Sequence, residues 1–178
     1  MNLPNKLTLL RIALVPVYLI LMWAGGDAPW ANFVALVVFA GASLTDLLDG
    51  KIARKHGLVT NFGKFMDPIA DKLLTITAFI VMVDISRMPA WMCVVFVARE
   101  FVVSGLRLVA VEQGRVIAAG ILGKVKTVLQ MAAVMLLTLN VPSLAVLTEI
   151  VLYAAVVLTV WSMADYVWQN RGVLLEKK

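Results

Sequence analysis

The chain has 178 residues, 62% of them hydrophobic, and a mean hydropathy of +0.93. That much apolar surface cannot be hidden in one water-soluble core of this length, which excludes a soluble globular domain. The formal charge of +5 is spread over segments flanking apolar stretches, as topology and anionic headgroups require, so no nucleic acid partner is expected.

Apolar stretches of about twenty residues, the length that crosses a bilayer as helix, recur along the chain. They cover residues 7–23, 30–48, 65–83, 89–110, 120–139 and 144–167. The pattern predicts an all-α integral membrane protein with six transmembrane helices in one domain over residues 1–178. The first stretch lacks a small-residue cleavage site and reads as an uncleaved anchor, not a signal peptide. Lys6 and Arg11, then Lys51, Arg54, Lys55 and Lys64, then Arg115, Lys124 and Lys126, then Arg171, Lys177 and Lys178 all fall on one side of a six-span arrangement. The opposite loops contain only Arg87 as a basic residue. Both termini are therefore expected in the cytoplasm. Cys93 is the single cysteine and has no disulfide partner within the chain. Trp23, Trp30, Trp91, Trp161 and Trp168 suit interfacial belts.

The informative chemistry lies between the second and third stretches. Asp46, Asp49, Gly50 and Ala53 fall on one helical stripe, and Gly63, Asp67 and Asp71 are spaced by four on the next helix. With both helix ends at the same membrane face, the four carboxylates converge. Ionised carboxylates near hydrocarbon are costly, so such a cluster implies a cation or a proton-transfer task. A step of four residues is about 6 Å along a helix, short enough for the acids to bridge two metal ions about 4 Å apart. An all-oxygen donor set favours Mg²⁺ or Mn²⁺ over zinc. Gly50, Ala53 and Gly63 leave bare helix surface that would admit a bulky polar ligand or simply allow close helix packing. Arg54 offers a fixed charge suited to phosphate. His56, in the basic loop after Arg54, reads as a solvated residue.

The run Asp46-x2-Asp49-Gly50-x2-Ala53-Arg54-x8-Gly63-x3-Asp67-x3-Asp71 resembles the signature of the CDP-alcohol phosphatidyltransferase family, with eight identities fixed over 26 positions. The resemblance implies the CDP-alcohol phosphotransferase fold, with six transmembrane helices, a homodimer, and phosphatidyl transfer from CDP-diacylglycerol to an alcohol with release of CMP. Carried over by position, Asp46, Asp49, Asp67 and Asp71 would hold two metal ions, and Asp71 would also act as base. Asp49, Gly50, Ala53, Arg54 and Gly63 would line the CDP pocket, with Asn5, Thr8 and Arg11 of the first helix either touching the nucleotide or capping and anchoring their helix. Direct attack by the acceptor is preferred, because no activated Ser or Cys with a paired base is evident.

Outside the signature, the segments 2–11, 98–107 and 123–127 are similar to bacterial family members that use glycerol 3-phosphate. That resemblance implies sn-glycerol 3-phosphate as acceptor and phosphatidylglycerol phosphate as product. Arg107, Lys124 and Lys126 near the cytoplasmic ends of spans four and five, and Arg99 deeper in span four, could neutralise the acceptor phosphate. Each has a second reading: Arg107, Lys124 and Lys126 as headgroup anchors, and Arg99 as a structural ion pair with Glu100. Asp165 is expected to be structural. Two alternatives remain open, a related transferase with another acceptor (inositol phosphate, serine or phosphatidylglycerol) and a divalent-cation transporter. Against transport, the far-side halves of the spans carry no matching acids.

Overall fold

The computed structural model describes residues 3–55, 61–118 and 120–174, with the side chains of 3, 4, 46–55, 61–65, 67, 68 and 174 outside the described set. His56, Lys177 and Lys178 lie outside the described residues.

The described residues form helices only. They are α1 (Leu3–Ala24), α2 (Pro29–Lys55), α3 (Asn61–Asp84), α4 (Ala90–Glu112), α5 (Ile121–Leu139), α6 (Ala145–Gln169) and the single turn α7 (Arg171–Leu174), with a 3₁₀ turn at Pro142–Leu144 before α6. Every apolar stretch read from the sequence becomes a helix. Most run further than their apolar residues, because helical hydrogen bonding continues into polar turns that hydropathy does not mark. The extension matters most at α2, which continues through Lys55, and at α3, which starts at Asn61. Together they carry the acidic signature on helical backbone.

Among the described residues, three helical segments are long and apolar enough to cross a membrane: Asn5–Ala24, Ile121–Leu139 and Pro142–Gln169. The apolar part of α2, Pro29–Thr45, is shorter. Both α3 and α4 carry charged residues inside their length, Asp67, Asp71 and Lys72 in one and Arg99, Glu100 and Arg107 in the other. The architecture is that of a helical membrane protein, with three segments long and apolar enough to cross and charged residues set within its less apolar helices.

Backbone punctuation sets the helix ends. Gly26, at φ 55°, closes α1 in the left-handed region, and Pro29 opens α2 at a first-turn position where no N–H is needed. Its neighbour Gly25 is required for a different reason. A Cβ there would lie 2.2 Å from the Ala31 Cβ and 2.5 Å from the Leu21 carbonyl oxygen. Gly114, at φ 72°, ends α4, with the Arg115 N–H donating to the Ala110 carbonyl at 2.8 Å. Asn140, at φ 48°, follows α5 in the same way.

The chain divides into two compact units, Met1–Met88 with Val134–Pro142, and Pro89–Ala133 with Ser143–Lys178. In the first, α1 packs against α2 and α3. Ala31, Ala35 and Ala42, all fully buried, give α2 a bare stripe that lets α1 approach closely. Tyr18 fills the space beside it, its ring 5.7 Å from that of Phe39 and its hydroxyl 2.8 Å from the Thr138 Oγ1. One hydrogen bond thus satisfies two buried hydroxyls. Arg87 ties down the loop end of this unit. It donates to Asp27 at 2.8 Å and to the Leu137 and Thr138 carbonyls at 3.1 Å each, capping the last turn of α5.

In the second unit, α4 packs against α6 and α7. Met92, Phe96, Arg99, Val103, Leu106 and Ala110 form its buried stripe, with an arginine in the middle. Val103, Leu106 and Tyr166 of α6 form a cluster against which Ile117 packs. The five tryptophans named above are each more than half exposed.

Candidate functional site

The acidic end of the first unit is built by helix register. The Arg11 Nε donates to the Ala42 carbonyl at 3.3 Å, and Tyr18 lies against Phe39, so α1 and α2 run antiparallel. Continued past Ala42, the α2 backbone carries Asp46 toward the level of Thr8 and Asp49 toward that of Asn5, about 6 Å per four residues. α3 runs parallel to α1, with the Trp23 Nε1 donating to the Asp84 carboxylate at 2.9 Å. Equal steps back along both helices set Asp71 level with Leu10 and Asp67 level with Lys6. Backbone register therefore brings Asp46, Asp49, Asp67 and Asp71 to one end of the α1–α2–α3 pack.

The residues of α1 at that level are polar and buried. Asn5 is 8% exposed, and Thr8 and Arg11 are fully buried. They continue the stripe of Val15, Tyr18 and Met22, so the face that is apolar along most of α1 turns polar where the acids lie. The charge pattern alone places Arg11 with the membrane-flanking bases. It is instead an interior residue, because α1 starts at Leu3 and places it two turns inside the helix. Asp71 is half-buried on α3. The side chains of Asp46, Asp49, Gly50, Ala53, Arg54, Gly63 and Asp67 lie outside the described set.

The basic residues gather in the second unit. Arg99, 7% exposed, donates from NH1 to Glu100 Oε1 at 3.0 Å, and Lys126, 3% exposed, pairs with the same oxygen. Lys126 also donates to Gln130 Oε1 at 2.8 Å, and Gln130 Nε2 donates to Thr159 Oγ1 at 3.2 Å. One carboxylate thus serves two buried cations. The Arg99 Nε is buried without a hydrogen-bond partner among the described residues. Gly123 gives the guanidinium room, since a Cβ there would come within 3.2 Å of NH2. Arg107 is held separately, its Nε donating to the Tyr166 hydroxyl at 3.0 Å and its guanidinium carbon 5.5 Å from the ring centroid. Lys124 is exposed.

The geometry therefore brings Arg99 and Lys126 together, holds Arg107 on Tyr166, and leaves Lys124 exposed. The Arg99–Glu100 ion pair weighed from the sequence is present, with Lys126 added to it. Glu100 as a shared counter-charge was not read from the sequence, although its position beside Arg99 was the available signal. The Lys126–Gln130 spacing of four was another. Nothing local pointed to Thr159 or Tyr166, which meet their partners through tertiary packing. Asp165 accepts from Gln169 at 2.8 Å, in keeping with a structural role. It also lines a cavity of about 480 Å³ with Ile117, Tyr166 and Asn170.

A membrane-helix bundle with this motif at one end of α1, α2 and α3 is the architecture of a phospholipid-processing transferase, and sequence comparison agrees. The profile of the CDP-alcohol phosphatidyltransferase family matches residues 1–161, and the chain belongs to that family. It is similar to a Bacillus subtilis (strain 168) protein named CDP-diacylglycerol–glycerol-3-phosphate 3-phosphatidyltransferase, with 46% identity over 95% of each chain. A Mycobacterium tuberculosis (strain H37Rv) relative named probable phosphatidylglycerophosphate synthase is 44% identical over 93% of this chain and 80% of its own. A Salmonella paratyphi A relative with the same name as the Bacillus protein is 34% identical over 99% of this chain and 98% of its own.

Proposed function

We propose that this protein transfers the phosphatidyl group of CDP-diacylglycerol to sn-glycerol 3-phosphate, forming phosphatidylglycerol phosphate and CMP in phospholipid biosynthesis. The observation that carries this reading is the complete signature on α2 and α3 in a chain 46% identical, over 95% of its length, to a relative bearing the name of that reaction.

Asp46, Asp49, Asp67 and Asp71 would hold two Mg²⁺ or Mn²⁺ ions, which when bound supply Lewis-acid polarisation of the donor diphosphate. Gly50, Ala53 and Gly63 would leave room for the CDP group, Arg54 would supply a fixed charge for its phosphates, and Asn5 and Thr8 extend the polar surface along α1. The acceptor hydroxyl oxygen attacks the phosphorus that bears diacylglycerol, the bond to the CMP oxygen breaks, and Asp71 takes the hydroxyl proton. No covalent enzyme intermediate is invoked. Arg99, Arg107, Lys124 and Lys126 receive the acceptor phosphate, where charge-assisted hydrogen bonds favour a dianion over a neutral alcohol.

The full reading is a single membrane domain of six spans in a bacterial inner membrane, with both termini and the active site cytoplasmic, acting as a homodimer. Basic residues concentrated on one side support the orientation. One family profile that spans both compact units supports a single domain.

The test is a detergent-solubilised assay with CDP-diacylglycerol, labelled sn-glycerol 3-phosphate and Mg²⁺. CMP release and a labelled lipid are expected, and EDTA should abolish both. Labelled lipid from inositol phosphate, serine or phosphatidylglycerol, with none from glycerol 3-phosphate, would refute the acceptor. Metal uptake into vesicles without CMP release would make the protein a transporter.

A further inference from the structure

We infer that Tyr166 is a positioning residue for acceptor recognition, acting through Arg107; this rests on the proposed role of Arg107 toward the acceptor phosphate. The two residues are 59 positions apart and meet where α4 and α6 pack. Tyr166 is 7% exposed, and its ring is fixed among Val103, Leu106 and Ile117. It is therefore a rigid platform, not a mobile surface ring. Two contacts join it to the guanidinium: the Nε hydrogen bond of 3.0 Å to the hydroxyl and a cation–π approach of 5.5 Å to the ring centroid.

A guanidinium has five N–H donors in one plane. With Nε committed to Tyr166, the two terminal amino groups remain, and among the described residues neither has a hydrogen-bond partner. They form the forked end that matches two phosphate oxygens. An arginine on an apolar helix near the membrane face would otherwise sample many rotamers and reach for lipid headgroups. Pinned at Nε and backed by a ring face, it keeps one orientation before the acceptor arrives, so less ordering is left for the binding step. The contact supplies no group to the reacting atoms. Its expected signature is weaker acceptor binding with the chemical step preserved.

The nearby cavity, which Tyr166 also lines, does not fit the acceptor itself. Its wall includes the Asp165 carboxylate, which opposes a phosphate dianion.

The experiment uses the full chain in mixed micelles, with CDP-diacylglycerol saturating and glycerol 3-phosphate varied, for wild type, Tyr166→Phe, Arg107→Gln and the double variant. Tyr166→Phe keeps the ring and removes only the hydroxyl. It should raise the acceptor KM roughly tenfold, the size of one net hydrogen bond, with kcat and the KM for CDP-diacylglycerol within about twofold. The double variant should be no worse than Arg107→Gln alone, because both changes remove the same interaction. An unchanged acceptor KM in Tyr166→Phe, beside a raised one in Arg107→Gln, overturns the positioning role. Equal loss for both substrates with a lowered melting temperature means Tyr166 only stabilises the fold, and also overturns it. An unchanged acceptor KM in Arg107→Gln removes the underlying reading of Arg107 instead.

Discussion

Arg99 and Glu100, neighbours in the chain, form an ion pair at 3.0 Å inside the second compact unit, and the same carboxylate oxygen also pairs with Lys126. One carboxylate paired with two largely buried cations is a setting in which removing the anion is costly and an added anion has a ready place.

Glu100→Gln removes the only carboxylate that bridges these two bases in the described network. Breaking a buried ion pair from one side costs about 3 to 5 kcal/mol, so the melting temperature should fall clearly. Added glycerol 3-phosphate should then raise it more in the variant than in wild type, since an anion that binds only the folded state stabilises by mass action. Equal ligand-induced shifts in the two proteins would separate this cluster from the acceptor.

Lys124 and Lys126 should no longer behave alike. Lys126 is buried and bonded to Glu100 and Gln130, whereas Lys124 is exposed. Lys126→Gln is expected to lower thermal stability and raise the acceptor KM, while Lys124→Gln should alter the KM with a melting temperature near wild type. Steady-state kinetics paired with thermal melts decide the matter. If Lys124→Gln leaves the KM unchanged, Lys124 is a headgroup anchor.

Asp71→Asn should abolish turnover but keep metal-dependent CDP binding largely intact, because it removes the base and leaves three acids for cation binding. Asp67→Asn should weaken that binding directly. Isothermal titration with CDP at several Mg²⁺ concentrations, alongside CMP release, separates the two. Matching binding and turnover defects in both variants would contradict the division of roles.

Arg87→Ala tests a purely architectural ion pair. It would strip Asp27 of its counter-charge and uncap the Leu137 and Thr138 carbonyls. Hydrogen bonds to a charged group contribute about 1.5 to 3 kcal/mol, so stability should drop by at least that order. KM for both substrates in the folded fraction should match wild type. A selective change in either KM would give Arg87 a functional role.

Two glycines should respond in opposite ways. Gly25→Ala forces a Cβ to within 2.2 Å of Ala31 and should destabilise, since overpacking costs about 1 to 3 kcal/mol. Gly41→Ala meets nothing within 4 Å inside α2 and should stabilise by up to about 1 kcal/mol through lower backbone entropy in the unfolded chain. Thermal melts of the two variants read the difference directly.

What the amino-acid order determined by itself was local or periodic. Runs of apolar residues marked the six long helices of the described residues, three of them in segments long and apolar enough to cross a bilayer, because a helix in hydrocarbon must satisfy its backbone internally and needs a fixed number of residues to cross. The spacing of Asp46 to Asp71 set each helix's acids on one face, since three- and four-residue steps define one helical face whatever surrounds it. Tertiary structure decided which charges answer one another. It buried Arg11 against the Ala42 carbonyl, added Lys126 to the Arg99–Glu100 pair, and set Arg107 on Tyr166. These pairings join residues from different helices, and helical periodicity says which face a side chain shares but not which neighbouring helix it meets. Burial then gives each pairing its energetic weight, because a charge excluded from water must find its partner in whichever helix packs beside it.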